Sequence, residues 1–264
     1  MRITTTVLKS LTVAAVGALA LTACGSSNTP AASSPADANA VKLINEGKLT
    51  VCSDIPYEPF EFVKDGKNVG FDMDIAAEIA KDLKLELNVI DSSFDAIESG
   101  LFKTQCDIAI SSLSITEARK GNMDFSTPYM DDDLTLVAKE GSGITDIESA
   151  KGKKVGVQQA TTGAKFAKEN GLDATGYEDS GLQIASLKAG TTVATLGNQS
   201  VLGYAIKDDP TLKRVADFKT GEQLGVAVPK GATAMLDSVN ATLKRLTDDG
   251  SLAKFTETWF GSTN

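Results

Sequence analysis

The residues Ser111-Ser112-Leu113-Ser114-Ile115-Thr116-Glu117-Ala118-Arg119 crowd three serine hydroxyls and a guanidinium into one short stretch. They follow Ile108-Ala109-Ile110, an apolar run that reads as a buried strand. Ser114 and Glu117 have capping-box spacing, which predicts a helix starting there. Clustered hydroxyls, free N–H groups at a helix start and one arginine suit a small carboxylate. No nucleophile with a base lies nearby, so the stretch predicts holding an anion, not attacking one. The chain has no histidine, which removes the commonest general base, the Ser/Cys–His dyads and most zinc sites. Its three cysteines are too far apart for a metal cluster, and no cofactor is expected.

The elements that must position these residues alternate. Leu49 to Cys52, Leu85 to Ile90 and Asp107 to Ile110 are strand candidates. Phe71 to Leu83, with Ile75, Ile79 and Leu83 on one face, and Phe94 to Phe102 are the helices between them. A second unit begins near Leu134–Val137. It continues with a strand over 153–157, a helix over 162–170, a helix over 182–189, a strand over 193–196 and a short helix over 202–207. Leu224 to Val228 reads as a strand leading into helices over 232–248 and 252–260. The βαβα order predicts an α/β protein of two lobes, each a mostly parallel sheet flanked by helices. A cleft between such lobes collects ligand groups at the carboxyl ends of strands.

The N-terminus reads as a targeting segment. Arg2 and Lys9 precede a short apolar run, Leu11 to Leu21, that is too short for a comfortable membrane span. Leu21-Thr22-Ala23-Cys24 resembles a bacterial lipobox, so residues 1–23 are expected to be removed and Cys24 lipidated. Residues 24–40, which after Cys24 are almost all Ser, Ala, Pro, Asn and Gly with one charge, read as a disordered tether. Removal of residues 1–23 takes away two positive charges and no acid, leaving −11 by the formal count that gives −9 for the whole chain. An acidic chain without a basic run argues against nucleic acid. Cys52 and Cys106 remain, and an exported compartment permits a disulfide. Their stagger of about three residues, or roughly 10 Å along neighbouring parallel strands, argues partly against one, so the pairing is left open.

Five blocks in order resemble solute-binding protein family 3, the amino-acid-binding receptors of ABC importers. They are Gly70-Phe71-Asp72-Met73-Asp74-Ile75, Ser53 to Phe62, Ser111 to Arg119, Lys154 to Thr162, and Leu224 to Val228. The resemblance spans about residues 45–261 and implies a type II periplasmic-binding-protein fold. Lobe one would be 41–130 plus 225–264 and lobe two 136–217, with hinges near 131–135 and 218–224. It implies that Arg119 grips the α-carboxylate of an amino acid, with Ser111, Ser112 and Ser114 bonding the same core. Tyr57 and Phe94 would sandwich the side chain, and Asp54 would meet its far end. Thr161 and Thr162 would add their hydroxyls and N–H groups from lobe two, and Gln158 would line the cleft through its backbone. Asn198 stands where relatives of this kind commonly carry an aspartate for the α-ammonium. The ligand so implied is a polar or basic L-amino acid. The partner is an ABC permease, and the place is the extracytoplasmic face of the membrane, as a lipid-anchored monomer. A ligand-binding sensor is an alternative. A cyclohexadienyl-dehydratase-like enzyme using Asp54 or Glu61 is a more remote one.

Overall fold

The computed structural model describes residues 41–261, so the expected signal peptide, the lipidation site Cys24 and the tether lie outside the described residues. In chain order the first lobe contributes β1 (Lys48–Ser53), a hairpin of β2 (Phe62–Lys64) and β3 (Lys67–Val69), α1 (Phe71–Asp82) and β4 (Glu86–Asp91). It continues with α2 (Phe94–Glu98), β5 (Ile108–Ala109), α3 (Glu117–Lys120), β6 (Met123–Phe125) and β7 (Met130–Asp131). The second lobe follows as β8 (Leu134–Lys139), α4 (Ile147–Ala150), β9 (Lys154–Gln158), α5 (Thr162–Glu169), β10 (Asp173–Tyr177) and α6 (Ser180–Ala189). It ends with β11 (Ala194–Asn198), α7 (Gln199–Ile206) and β12 (Leu212–Phe218). The chain then returns through β13 (Gln223–Leu224), β14 (Ala227–Pro229), α8 (Thr233–Asp248) and α9 (Ser251–Phe260).

Two five-stranded sheets result, in the orders β4-β1-β5-β14-β6 and β10-β9-β11-β8-β12. In each, three strands run parallel (β4, β1, β5 and β10, β9, β11) and the other two add antiparallel pairs. β1 is buried from Leu49 to Ser53, as expected of a parallel strand covered on both faces. α1 buries Ile75 and Ile79, with Leu83 just beyond its end, against that sheet. α8 presents Met235, Val239, Leu243 and Leu246 at helical spacing to the same lobe. A second core of Leu134, Leu136, Val155, Val157 and Leu196 fills the other lobe. The two passages of chain between the lobes lie side by side, since β7 and β13 pair antiparallel with Leu224 opposite Met130.

Gly70 explains the glycine that opens the Gly-Phe-Asp block. Its φ of 135° is open to glycine, and a Cβ there would lie 2.0 Å from the Phe60 carbonyl oxygen. The missing side chain lets α1 start hard against the Pro59–Glu61 turn, where Phe71 and Asp72 donate to the carbonyls of Pro59 and Phe60.

Three expectations are corrected, and the disulfide left open from the sequence is decided. The cap of α3 is Thr116, whose hydroxyl accepts from the Arg119 N–H at 3.2 Å, so Ser114 is not the capping residue. The helix expected over 94–102 breaks after Glu98, where Gly100 takes the left-handed conformation, and resumes as a 3₁₀ turn over 101–104. The strand expected over 224–228 divides into β13 and β14 because its halves pair with different partners, β7 and then β5 and β6. Cys52 and Cys106 are bonded, with Cα atoms 5.7 Å apart. The stagger argument fails because Cys106 is not in a strand. Its N–H bonds the Phe102 carbonyl in the turn before β5, which curls the chain back toward β1.

Candidate functional site

The site grows from the carboxyl ends of β1 and β5 in one lobe and of β9 and β11 in the other. Beyond β5 the chain is held open by two fully buried acids. Asp72, in the first turn of α1, accepts from the Ser112 N–H at 2.6 Å and from the Tyr129 hydroxyl at 3.1 Å. That bond steadies Ser112 at a φ of 44°, a left-handed value that a serine adopts only when its surroundings hold it. Glu61 accepts from the Ser111 hydroxyl, which itself accepts from the Asp54 N–H at 3.1 Å. Glu61 and Asp72 act on each other's ionisation. Glu61 Oε2 and Asp72 Oδ1 are buried with no hydrogen-bond partner among the described residues. Burial, with the charge of Asp72 adding to it, pushes Glu61 well above the usual carboxylate range. Burial likewise pushes Asp72 up to about 7, against the opposing bonds from Ser112 and Tyr129.

In front of this pair stands Arg119, 4% exposed. Its guanidinium lies 5.2 Å from the centre of the Phe94 ring, a cation–π distance. Nη1 donates to the Ser114 carbonyl at 2.9 Å, Nη2 to the Ala160 carbonyl of the other lobe at 3.1 Å, and Nε lies 3.8 Å from Glu98. A groove lined by Glu98, Arg119, Ala160, Thr161 and Thr162 opens beside it.

The lobes meet at four further points. Gln158 Nε2 donates to Asp54 Oδ2 at 2.6 Å, and burial pushes the Asp54 carboxyl up to about 7 despite that bond. The Tyr57 hydroxyl donates to Asn198 Oδ1 at 3.4 Å, and the Ser180 hydroxyl to the Pro56 carbonyl at 3.2 Å. Glu222, just before β13, accepts from both Ser114 Oγ and Thr162 Oγ1 at 2.7 Å.

The structure therefore brings Asp54, Tyr57, Ser114, Arg119, Thr162 and Asn198 to the boundary between the lobes, with Phe94 against Arg119. Ser112 Oγ is buried without a partner among the described residues, so its donor is uncommitted. Ser111 is turned inward to Glu61 and the Asp54 N–H. Thr161 spends its hydroxyl on capping α5, accepting from the Ala164 N–H and donating to the Gln158 carbonyl. Gln158 reaches Asp54 with its side chain, which the sequence had left open. Asp72 and Tyr129 as wall-holding residues, and Glu222 as a bridge, were not singled out from the sequence.

Two α/β lobes joined by a paired double crossing, with an arginine and hydroxyls between them, define a bilobal small-molecule-binding protein. Residues 49–262 match the bacterial extracellular solute-binding proteins, family 3, and the chain belongs to that family. It is 32% identical over 257 residues to the arginine-binding extracellular protein ArtP of Bacillus subtilis (95% of this chain, 96% of that one). It is 31% identical over 227 residues to the L-cystine-binding protein TcyJ of Escherichia coli (84% and 85%). Among solved structures it resembles an ancestral arginine-binding protein bound to arginine, with a TM-score of 0.76 and 34% identity over 81% of this chain and 99% of that one.

Proposed function

We propose that the chain is the substrate-binding component of an ABC transporter, closing its lobes on one polar or basic L-amino acid and presenting the closed form to a membrane permease. The observation that carries the reading is Arg119. It is buried on the Phe94 ring and bonded to a carbonyl of each lobe, Ser114 and Ala160. A carboxylate arriving there meets a planar, permanently charged donor that only the closed protein completes. Ser112 Oγ and Thr162 Oγ1 supply further polar contacts. Asp54 stands ready for a polar or cationic far end, and the arginine- and cystine-binding relatives agree with that class. A ligand that touches both lobes favours the closed state by its differential affinity, which makes closure a population shift. The lobes are taken as 41–130 with 225–264 and as 136–217, hinged at 131–135 and 218–224, and the β7–β13 pairing supports that division. Leu21-Thr22-Ala23-Cys24 supports a lipid anchor at Cys24 on the extracytoplasmic face.

Isothermal titration with L-arginine, L-lysine, L-ornithine, L-histidine, L-glutamine and L-cystine tests the reading. Saturable 1:1 binding of at least one is the expected result. No heat with any of them, alongside tight binding of a ligand lacking a carboxylate, contradicts it.

A further inference from the structure

An α-amino acid carries its ammonium on the carbon that bears its carboxylate. If Arg119 takes the carboxylate, the ammonium's partner must stand beside Arg119 and not at the far end of the cleft. The acids near the lobe boundary can be sorted on that basis. Asp54, bonded to Gln158 across the cleft, and Asp132, bonded to the hydroxyl and N–H of Ser200, share no partner with Arg119. Glu61 and Asp72 lie behind the wall, bonded to Ser111 and Ser112. Glu98 approaches the Nε side of Arg119, away from the two nitrogens that point at Ser114 and Ala160. Asn198 offers no charge, and its amide is engaged at both ends, by the Tyr57 hydroxyl and the Asp132 carbonyl.

Glu222 remains. It shares Ser114 with Arg119: the serine carbonyl accepts from the guanidinium, and the serine hydroxyl donates to Glu222. Its backbone is fixed on both sides. The Asp132 N–H donates to the Glu222 carbonyl at 3.0 Å, and the Ile115 N–H donates to the next carbonyl, that of Gln223, at 2.8 Å. Its carboxylate is also bonded to a hydroxyl of each lobe, so it is fully placed only when Ser114 and Thr162 come together.

We propose that Glu222 receives the α-ammonium of the bound amino acid and so makes a free, charged nitrogen a condition of binding. This rests on the amino-acid reading above. Ser114 and Thr162 pre-orient the carboxylate, and the ammonium joins as a further donor to it. Because Glu222 sits in the hinge just before β13, the same contact links ligand selection to closure.

The test is titration of the full chain and of Glu222→Gln with the amino acid that binds the wild type best and with its deamino analogue, which keeps the carboxylate and side chain but lacks the α-nitrogen. Glu222→Gln is expected to weaken the amino acid about tenfold or more, since a charged hydrogen bond is lost, and to change the analogue by less than about twofold. Glu222→Asp, which keeps the charge but shortens its reach, is expected to fall between, with thermal unfolding confirming that each variant is folded. Unchanged amino-acid affinity in Glu222→Gln overturns the inference alone. Tighter binding also overturns it, and shows instead that Glu222 competes with the ligand carboxylate for Ser114 and Thr162. A wild type that binds no amino acid overturns the functional reading and this inference with it.

Discussion

In the proposed reading Arg119 is the carboxylate anchor, because among the described residues it is the buried guanidinium at the lobe boundary and its planar donors already face carbonyls of both lobes. Its removal leaves a desolvated ligand carboxylate with neutral donors only. Arg119→Ala is therefore expected to lose about 2–5 kcal/mol of binding, or roughly 30-fold or more in affinity, while remaining folded. Arg119→Lys should restore only part of it, because an ammonium cannot present the fork. Titration calorimetry with circular dichroism checks both, and affinity within threefold of wild type in Arg119→Ala removes this residue from the site. Behind it, Glu61 and Asp72 hold their protons more tightly in the folded chain than in the unfolded one. From about pH 4 to about 7 the folded state therefore binds the extra protons, so stability is greatest below that window and falls as pH rises through it. Glu61→Gln keeps an acceptor for Ser111 and removes one titration. The decline of melting temperature with pH should flatten in this variant, and an undiminished slope contradicts the paired-acid account. The serine cluster and Arg119 were legible as an anion site because their spacing alone gathers donors. Asp72 and Glu222 were not, because an acid in sequence reads as a solvated residue, and only tertiary contact with Ser112, or with Ser114 and Thr162, shows what it touches.

The helices and central strands were legible where the apolar period was strong, as over Phe71–Asp82 and Thr233–Asp248. β10 and β12 went unread. Asp173–Tyr177 and Leu212–Phe218 are half-exposed edge strands of their sheet, and pairing with β9 and β8 makes them strands, not composition. The Ser114–Glu117 spacing predicted a cap two residues early. Thr116 caps instead, which releases the Ser114 hydroxyl to Glu222. The same kind of local detour joins Cys52 to Cys106, for the turn before β5 brings the second cysteine level with the first. Thiol counting on the unreduced, denatured Cys24→Ala chain should find no free thiol, and two free thiols refute the pairing.

For the whole molecule, alternating βαβα order foretold two α/β lobes, and each sheet proved mixed because the return of the chain adds antiparallel strands beside the parallel three. No described helix is long and apolar enough to cross a membrane. Cys24→Ala should give a chain that carries no acyl label and no longer partitions into detergent, and unchanged labelling contradicts the anchor. The central claim is that a ligand held by Arg119 from one lobe, by Thr162 from the other and by Glu222 at the hinge draws the lobes together. Small-angle scattering recorded during titration with the tightest-binding amino acid tests it most directly. The account predicts a radius of gyration that falls with saturation in the wild type and stays constant in Arg119→Ala. Saturating binding with unchanged wild-type scattering would contradict it.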